Sequence, residues 1–161
     1  MQADAWCSSL CCRECEASLT GFPMILILED RDDRIRQFLE AASRVAPQLP
    51  VMVWRSAPAM IAGLVGYLES ASIISLDHDL DSAGDESGDP GTGYDVAKYL
   101  GELIPVCPVI VHTSNAERRN WMIGALSLGH WEYDCVYPDG DAWISERWAP
   151  LVRRRLSTQG N

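Results

Sequence analysis

The sequence predicts an α/β domain built on a doubly wound parallel sheet, with helices covering both faces. Three observations predict it. Five short strand-like segments alternate with five longer stretches of helical spacing, the order that gives strand–helix–strand crossovers. The first run, Met24-Ile25-Leu26-Ile27-Leu28, contains no polar residue, as a strand buried on both faces requires. Acidic, histidine and hydroxyl residues crowd the ends of the first, third and fourth runs, where such sheets place their ligands.

Taken in order, Glu29-Asp30 closes the first strand. From Asp33 to Val45, Ile35, Phe38, Leu39 and Ala42 recur at helical spacing, and Pro47 and Pro50 stop that helix. Val51 to Trp54 is the second strand. Ser56 caps the next helix, which tolerates Pro58 in its first turn and reaches about Ser70. Ile73 to Leu76 is the third strand, followed by a Gly-, Asp- and Ser-rich loop to Gly91. Thr92 or Gly93 opens a helix to Leu103, and Val109 to His112 is the fourth strand. Ser114 with Glu117 three residues on matches a capping box for a helix ending near Leu128-Gly129. Trp131 to Val136 is the fifth strand, Pro138, Asp139 and Gly140 turn the chain, and Ala142 to Leu156 is the last helix. Its end, Arg153-Arg154-Arg155, suits the negative end of a helix dipole. With right-handed crossovers, five such units favour the flavodoxin-like strand order 2-1-3-4-5.

The chain's 161 residues fit one domain, and its 47% apolar and 22% charged content is that of a globular chain. The reading places a poorly ordered extension at residues 1–23 and the folded domain at 24–157, with Met24 a candidate natural start. No apolar run approaches the ~18 residues that span a bilayer. A net charge of -10 argues against general DNA binding, which is driven by cation release from phosphates. The acidity is concentrated, with seven carboxylates between Asp77 and Asp95, a local cluster that can serve a metal, although Asp85, Glu86 and Asp89 read as a solvated loop. Cys7, Cys11, Cys12 and Cys15 lack a second ligand pair at finger spacing, and Cys107 and Cys135 read as core thiols, so the expected compartment is the reducing cytoplasm.

In the assumed strand order, three polar clusters meet in one crevice: Glu29-Asp30, Asp77-His78-Asp79 and His112-Thr113-Ser114-Asn115. Carboxylates from adjacent strand ends suit a hard divalent ion such as Mg²⁺, or Mn²⁺, and its open positions accept phosphate oxygens. Asp30 and Asp77, joined by Glu29 or Asp79, are the candidate metal ligands. His78 and His112 are candidate proton carriers alongside Asp77, and Thr113, Ser114 and Asn115 candidate phosphate donors. Which imidazole is acid and which is base depends on side-chain direction at strand ends, where regular alternation is expected to break down.

Four segments together resemble the cyclic-phosphate processing receiver family, a branch of the response-regulator receiver fold: Leu28-Glu29-Asp30, Leu76-Asp77-His78-Asp79-Leu80, Thr92-Gly93-Tyr94-Asp95-Val96-Ala97 and Val111-His112-Thr113-Ser114-Asn115. The likeness covers about residues 24 to 137. It implies that Asp77 matches the phosphoaccepting aspartate, Glu29 and Asp30 the acidic pair that holds Mg²⁺, and Thr113 the hydroxyl residue after the fourth strand. One departure is Tyr137-Pro138, where receivers carry Lys-Pro, so the lysine that contacts the phosphoryl group is missing. The family name implies action on cyclic phosphates of nucleotides or RNA ends, by a metal-dependent phosphodiesterase or phosphoryl hydrolase. The alternative is an atypical receiver signalling module, phosphorylated at Asp77 or binding a partner protein through the same face. An adaptor that docks a basic partner on its acidic face would need no metal.

Overall fold

A computed structural model of the chain describes residues 21–81 and 88–159. The cysteines at 7, 11, 12 and 15, most of the expected extension, and the loop carboxylates Asp85 and Glu86 lie outside the described residues. The elements run β1 (Met24–Leu28), α1 (Asp32–Val45), β2 (Val51–Trp54), α2 (Ala57–Tyr67), β3 (Ala71–Asp77), α3 (Gly93–Gly101), β4 (Val109–His112), α4 (Ala116–Leu128), β5 (Tyr133–Val136) and α5 (Ala149–Gln159). All five strands are parallel, in the order β2-β1-β3-β4-β5. Both the doubly wound class and the flavodoxin-like order follow as expected. No helix among the described residues is long and apolar enough to cross a membrane.

Alternation along the strands builds two cores. Met24, Leu26 and Leu28 of β1 face one side with Ile74, Leu76, Val109 and Val111, beneath α2, α3 and α4. Ile25 and Ile27 face the other with Ile73 and Ile110, beneath α1 and the C-terminal helix, where Phe38, Trp143 and Trp148 pack edge to face. Trp148 donates its indole N–H to Ser75 Oγ at 2.9 Å, so that buried hydroxyl is satisfied.

Several boundaries differ from expectation. The second helix stops at Tyr67 in a short 3₁₀ turn, Leu68–Ser70, and β3 begins two residues early at Ala71. The fifth strand begins at Tyr133; Trp131 is buried beside it and donates its indole N–H to the Leu100 carbonyl at 2.7 Å. The last helix starts as a wide π turn, Ile144–Trp148, in which Ala149 N–H reaches back to the Ile144 carbonyl. Pro150, which has no N–H to offer Glu146, follows that turn directly. Cys135 is exposed, not a core thiol, because it sits on the open side of the edge strand; Cys107 is buried as expected. The fourth helix is capped by Asn115, whose side chain accepts the Arg118 N–H at 3.1 Å, and not by Ser114.

Candidate functional site

The two-residue alternation holds to the last residues of β3 and β4 and one residue past the end of β1. Leu28 pairs with Leu76, which sets Glu29 beside Asp77, and Asp77 pairs with His112. Glu29 therefore continues the Ile25–Ile27 face, Asp77 the Ile73–Ser75 face and His112 the face of Ile110. Three ionisable side chains from three neighbouring strands lie in one row, at the carboxyl end of the sheet beneath α1. Each offers a ligand atom within 4.8 Å of the others, and all three are buried.

Their surroundings are apolar on one side and cationic on the other. The His112 ring lies 5.1 Å from Phe38 and 5.4 Å from Trp143, centroid to centroid, and is wholly buried. Arg34 of α1 reaches over the row, its Nη1 3.3 Å from Asp77 Oδ2 and 3.6 Å from Glu29 Oε2, with its guanidinium carbon 5.8 Å from the Trp143 ring centroid. Arg31 donates its backbone N–H to Glu29 Oε1 at 3.1 Å, and His78 its own to Asp77 Oδ1 at 2.7 Å.

Burial raises the Asp77 carboxyl to about 7; Asp30 and Asp79 push in the same direction, while Arg34 and the His78 N–H pull it down. Burial, then the charge of Asp77, raises Glu29 to about 8, against the Arg31 N–H and Arg34. Burial, aided by Arg34, lowers His112 to about 3, so its imidazole is neutral at physiological pH. Five buried atoms here have no hydrogen-bond partner among the described residues: Glu29 Oε2, Asp30 Oδ1, His78 Nε2 and both ring nitrogens of His112. An unpaired buried polar group costs about 1–3 kcal/mol. Within the row, Glu29 Oε2 and the His112 nitrogens are left unsatisfied beside the Asp77 carboxylate, a mixed oxygen and nitrogen donor set that a divalent cation satisfies, so the residues present fit such an ion.

Around this row lies a cleft of about 190 Å³ lined by Arg31, Arg34, Asp77, Asp79, Asp81, Thr113, Ser114 and Pro138. Of the residues singled out in the sequence, Asp77, Asp79, Thr113 and Ser114 stand in its wall. Glu29 and His112 sit beneath it with Asp77. Asp30 lies at the margin and braces the two loops, its Oδ2 accepting the Asp81 N–H at 2.6 Å. Asp79 is largely exposed and pairs through Oδ1 with Nδ1 of the buried His78 at 2.8 Å. Asn115 is occupied as a helix cap, and its own N–H donates to Thr113 Oγ1 at 3.1 Å, which leaves the threonine hydroxyl proton free to donate. Sequence reasoning overlooked Arg31 and Arg34. Arg34 had a signal: it precedes Phe38 by four residues and so lies on the inward stripe of α1. Close backbone approach completes the site. A Cβ on Gly93, at the start of α3, would stand 1.9 Å from the Asp77 carbonyl oxygen, so only glycine lets that helix dock on β3.

The topology and the acidic strand ends define the class as a receiver-type domain. A receiver domain from Rhodospirillum rubrum superposes with a TM-score of 0.58 at 17% identity, over 86% of this chain and 94% of that one. The receiver domain of Thermotoga maritima CheB gives 0.59 at 11% identity, over 84% and 97%. The Mn²⁺-bound form of the response regulator Rcp1 gives 0.55 at 17%, over 82% and 90%. Within that class the chain belongs to the cyclic-phosphate processing receiver domain family, whose model matches residues 24–127. No curated protein matches the chain.

Proposed function

We propose that this domain is a metal-dependent enzyme that hydrolyses cyclic phosphates of nucleotides or of RNA ends. The observation that carries this reading is the sharing of Asp77 and Arg34 between an open cleft and the buried Glu29–Asp77–His112 row. Glu29 and Asp77 would hold the cation, Mg²⁺ or Mn²⁺, with Asp30 and Asp79 at its margin; when bound it supplies charge neutralisation to the phosphate oxygens. Arg31 and Arg34 offer guanidinium donors to the same oxygens, and the hydroxyls of Thr113 and Ser114 add neutral donors on the β4 side.

Opening a cyclic phosphate adds one water across a P–O bond. Hydroxide joins phosphorus, the ester P–O bond breaks, and the released alkoxide takes a proton. The Asp79–His78 pair suits that proton traffic, because Asp79 lines the cleft and is backed at Oδ1 by the imidazole Nδ1. A positioned acid–base group of this kind contributes ~10²–10⁴-fold. The test is the purified chain with Mg²⁺ or Mn²⁺ against cyclic nucleotides and RNA with a cyclic phosphate terminus. Ring opening that Asp79→Asn reduces supports the reading, and an untouched panel defeats it.

One observation favours the second reading, a signalling module. Asp77 and Thr113, the pair matching the receiver's phosphoacceptor and hydroxyl positions, share the cleft. Against it stands Tyr137, exposed where a receiver has lysine, its carbonyl accepting from Arg147 at 3.0 Å. Acetyl phosphate would then add phosphate to intact protein, and Asp77→Asn would abolish the gain. A protein partner docking on the same face belongs to this reading.

A further inference from the structure

We infer that His112 is a metal ligand and not a proton carrier, and that the Glu29–Asp77–His112 row takes a nitrogen-accepting first-row transition ion ahead of Mg²⁺. The inference rests on the reading that this crevice holds a divalent cation, and it names the kind.

A proton carrier must reach the substrate. His112 is wholly buried, walled by Phe38 and Trp143, and is not among the residues lining the cleft. A general base also needs a partner that fixes its tautomer, and neither ring nitrogen has one among the described residues. His78, by contrast, is held at Nδ1 by Asp79. A metal ligand needs the opposite properties: a neutral imidazole, a fixed ring, and a free nitrogen aimed at other donors. The two aromatic walls fix the ring, and a nitrogen lies within 4.8 Å of carboxylate oxygens of both Glu29 and Asp77.

The donor set then decides the ion. Mg²⁺ favours all-oxygen surroundings and keeps several waters, whereas one imidazole with two carboxylates suits Mn²⁺, Fe²⁺, Co²⁺ or Zn²⁺. Affinity for mixed nitrogen and oxygen sites rises along the first row, with Co²⁺ above Mn²⁺. Arg34, 3.3 Å from Asp77 and 3.6 Å from Glu29, partly neutralises the two carboxylates, which disfavours a purely electrostatic guest and leaves the imidazole bond to set preference.

The full chain, freed of metal, is titrated calorimetrically with Co²⁺ and with Mg²⁺, and the Co²⁺ form is examined by proton NMR. Co²⁺ should bind at least ~100-fold more tightly than Mg²⁺, and one histidine ring N–H should appear strongly hyperfine-shifted. His112→Gln should remove that resonance and weaken Co²⁺ by about 10–100-fold while changing Mg²⁺ by less than about threefold. His78→Gln and His130→Gln should both keep the resonance, which assigns it by elimination even if His112→Gln does not fold. A shifted resonance that vanishes in His78→Gln, or no shifted histidine at all, overturns the inference. So do equal affinities for the two ions, which leave the metal-dependent reading standing. Absence of binding by either ion defeats both.

Discussion

Replacing Asp77 with asparagine should make the metal-free protein more stable, and increasingly so as the pH rises. In the folded chain the carboxyl is raised to about 7, from 3.8. Between those values the unfolded chain has released the proton and the folded chain still holds it. Stability therefore falls with rising pH, by about 1.4 kcal/mol per unit for one group. Below about pH 3.8 both states hold the proton, and above about 7 both have lost it, so the loss is complete there. Asparagine does not titrate. From pH 5 to pH 8.5 the stability of Asp77→Asn relative to the parent should thus grow by about two units' worth, ~3 kcal/mol. The difference across pH cancels the fixed terms, such as the lost ion pair with Arg34. Asp77 also raises Glu29, so the variant's remaining slope should be shallower than Glu29 gives in the parent. His112 contributes the opposite sign: lowered to about 3 when folded, it favours the folded state less as pH falls below about 6.5. It is common to both proteins and cancels. The assay is urea unfolding with a chelator present, at pH 5, 6, 7 and 8.5. A variant that tracks its parent at a constant offset would refute the argument, because Asp77 would then not be a protonated buried acid.

Three further outcomes follow from particular contacts. Arg34→Gln removes a cation that shares both carboxylates; a partly exposed ion pair is worth up to ~1 kcal/mol, so divalent metal affinity at pH 8.5 should rise about fivefold by calorimetry. Gly93→Ala drives a methyl into the Asp77 carbonyl and should lower unfolding free energy by about 3 kcal/mol or more, seen as a fall in melting temperature. Asn115→Ala removes the cap of α4 and should cost about 1 kcal/mol in urea unfolding, whereas Ser114→Ala should leave stability unchanged and weaken inorganic phosphate binding to the metal-loaded protein.

The sheet was legible chiefly through β1, β2 and β4, whose uninterrupted apolar runs have little reading other than strand, while β3 carries Ser72 and Ser75 and β5 carries Asp134. The polar strand ends were legible for the same reason: a charge directly after such a run has few places to go. Side-chain direction was the difficulty, since regular alternation was expected to fail after the last apolar residue. It does not fail. Counting in twos from Ile25, Ile73 and Ile110 leads to Glu29, Asp77 and His112 and separates them from Asp30 and His78. The exchange of roles between Ser114 and Asn115 could not be read, because both residues cap helices well and one residue of shift decides between them. The π turn and the exposure of Cys135 depend on how the last helix and the edge strand meet their neighbours, which no local pattern records.

The π turn also gives the site an optical consequence. In a straight α-helix, residues five apart point about 140° away from each other. The wider turn draws Trp143 and Trp148 to the same side, where both rest on Phe38. One indole is thereby fixed 5.4 Å from the His112 ring. Of the chain's six tryptophans, this one should report on the neighbouring row: a paramagnetic guest such as Co²⁺ is expected to quench the Trp143 share of the emission, and a closed-shell guest such as Mg²⁺ or Zn²⁺ to leave it unchanged. The fold thus carries a fluorophore beside its own candidate metal site, and occupancy can be followed in dilute solution with no label attached.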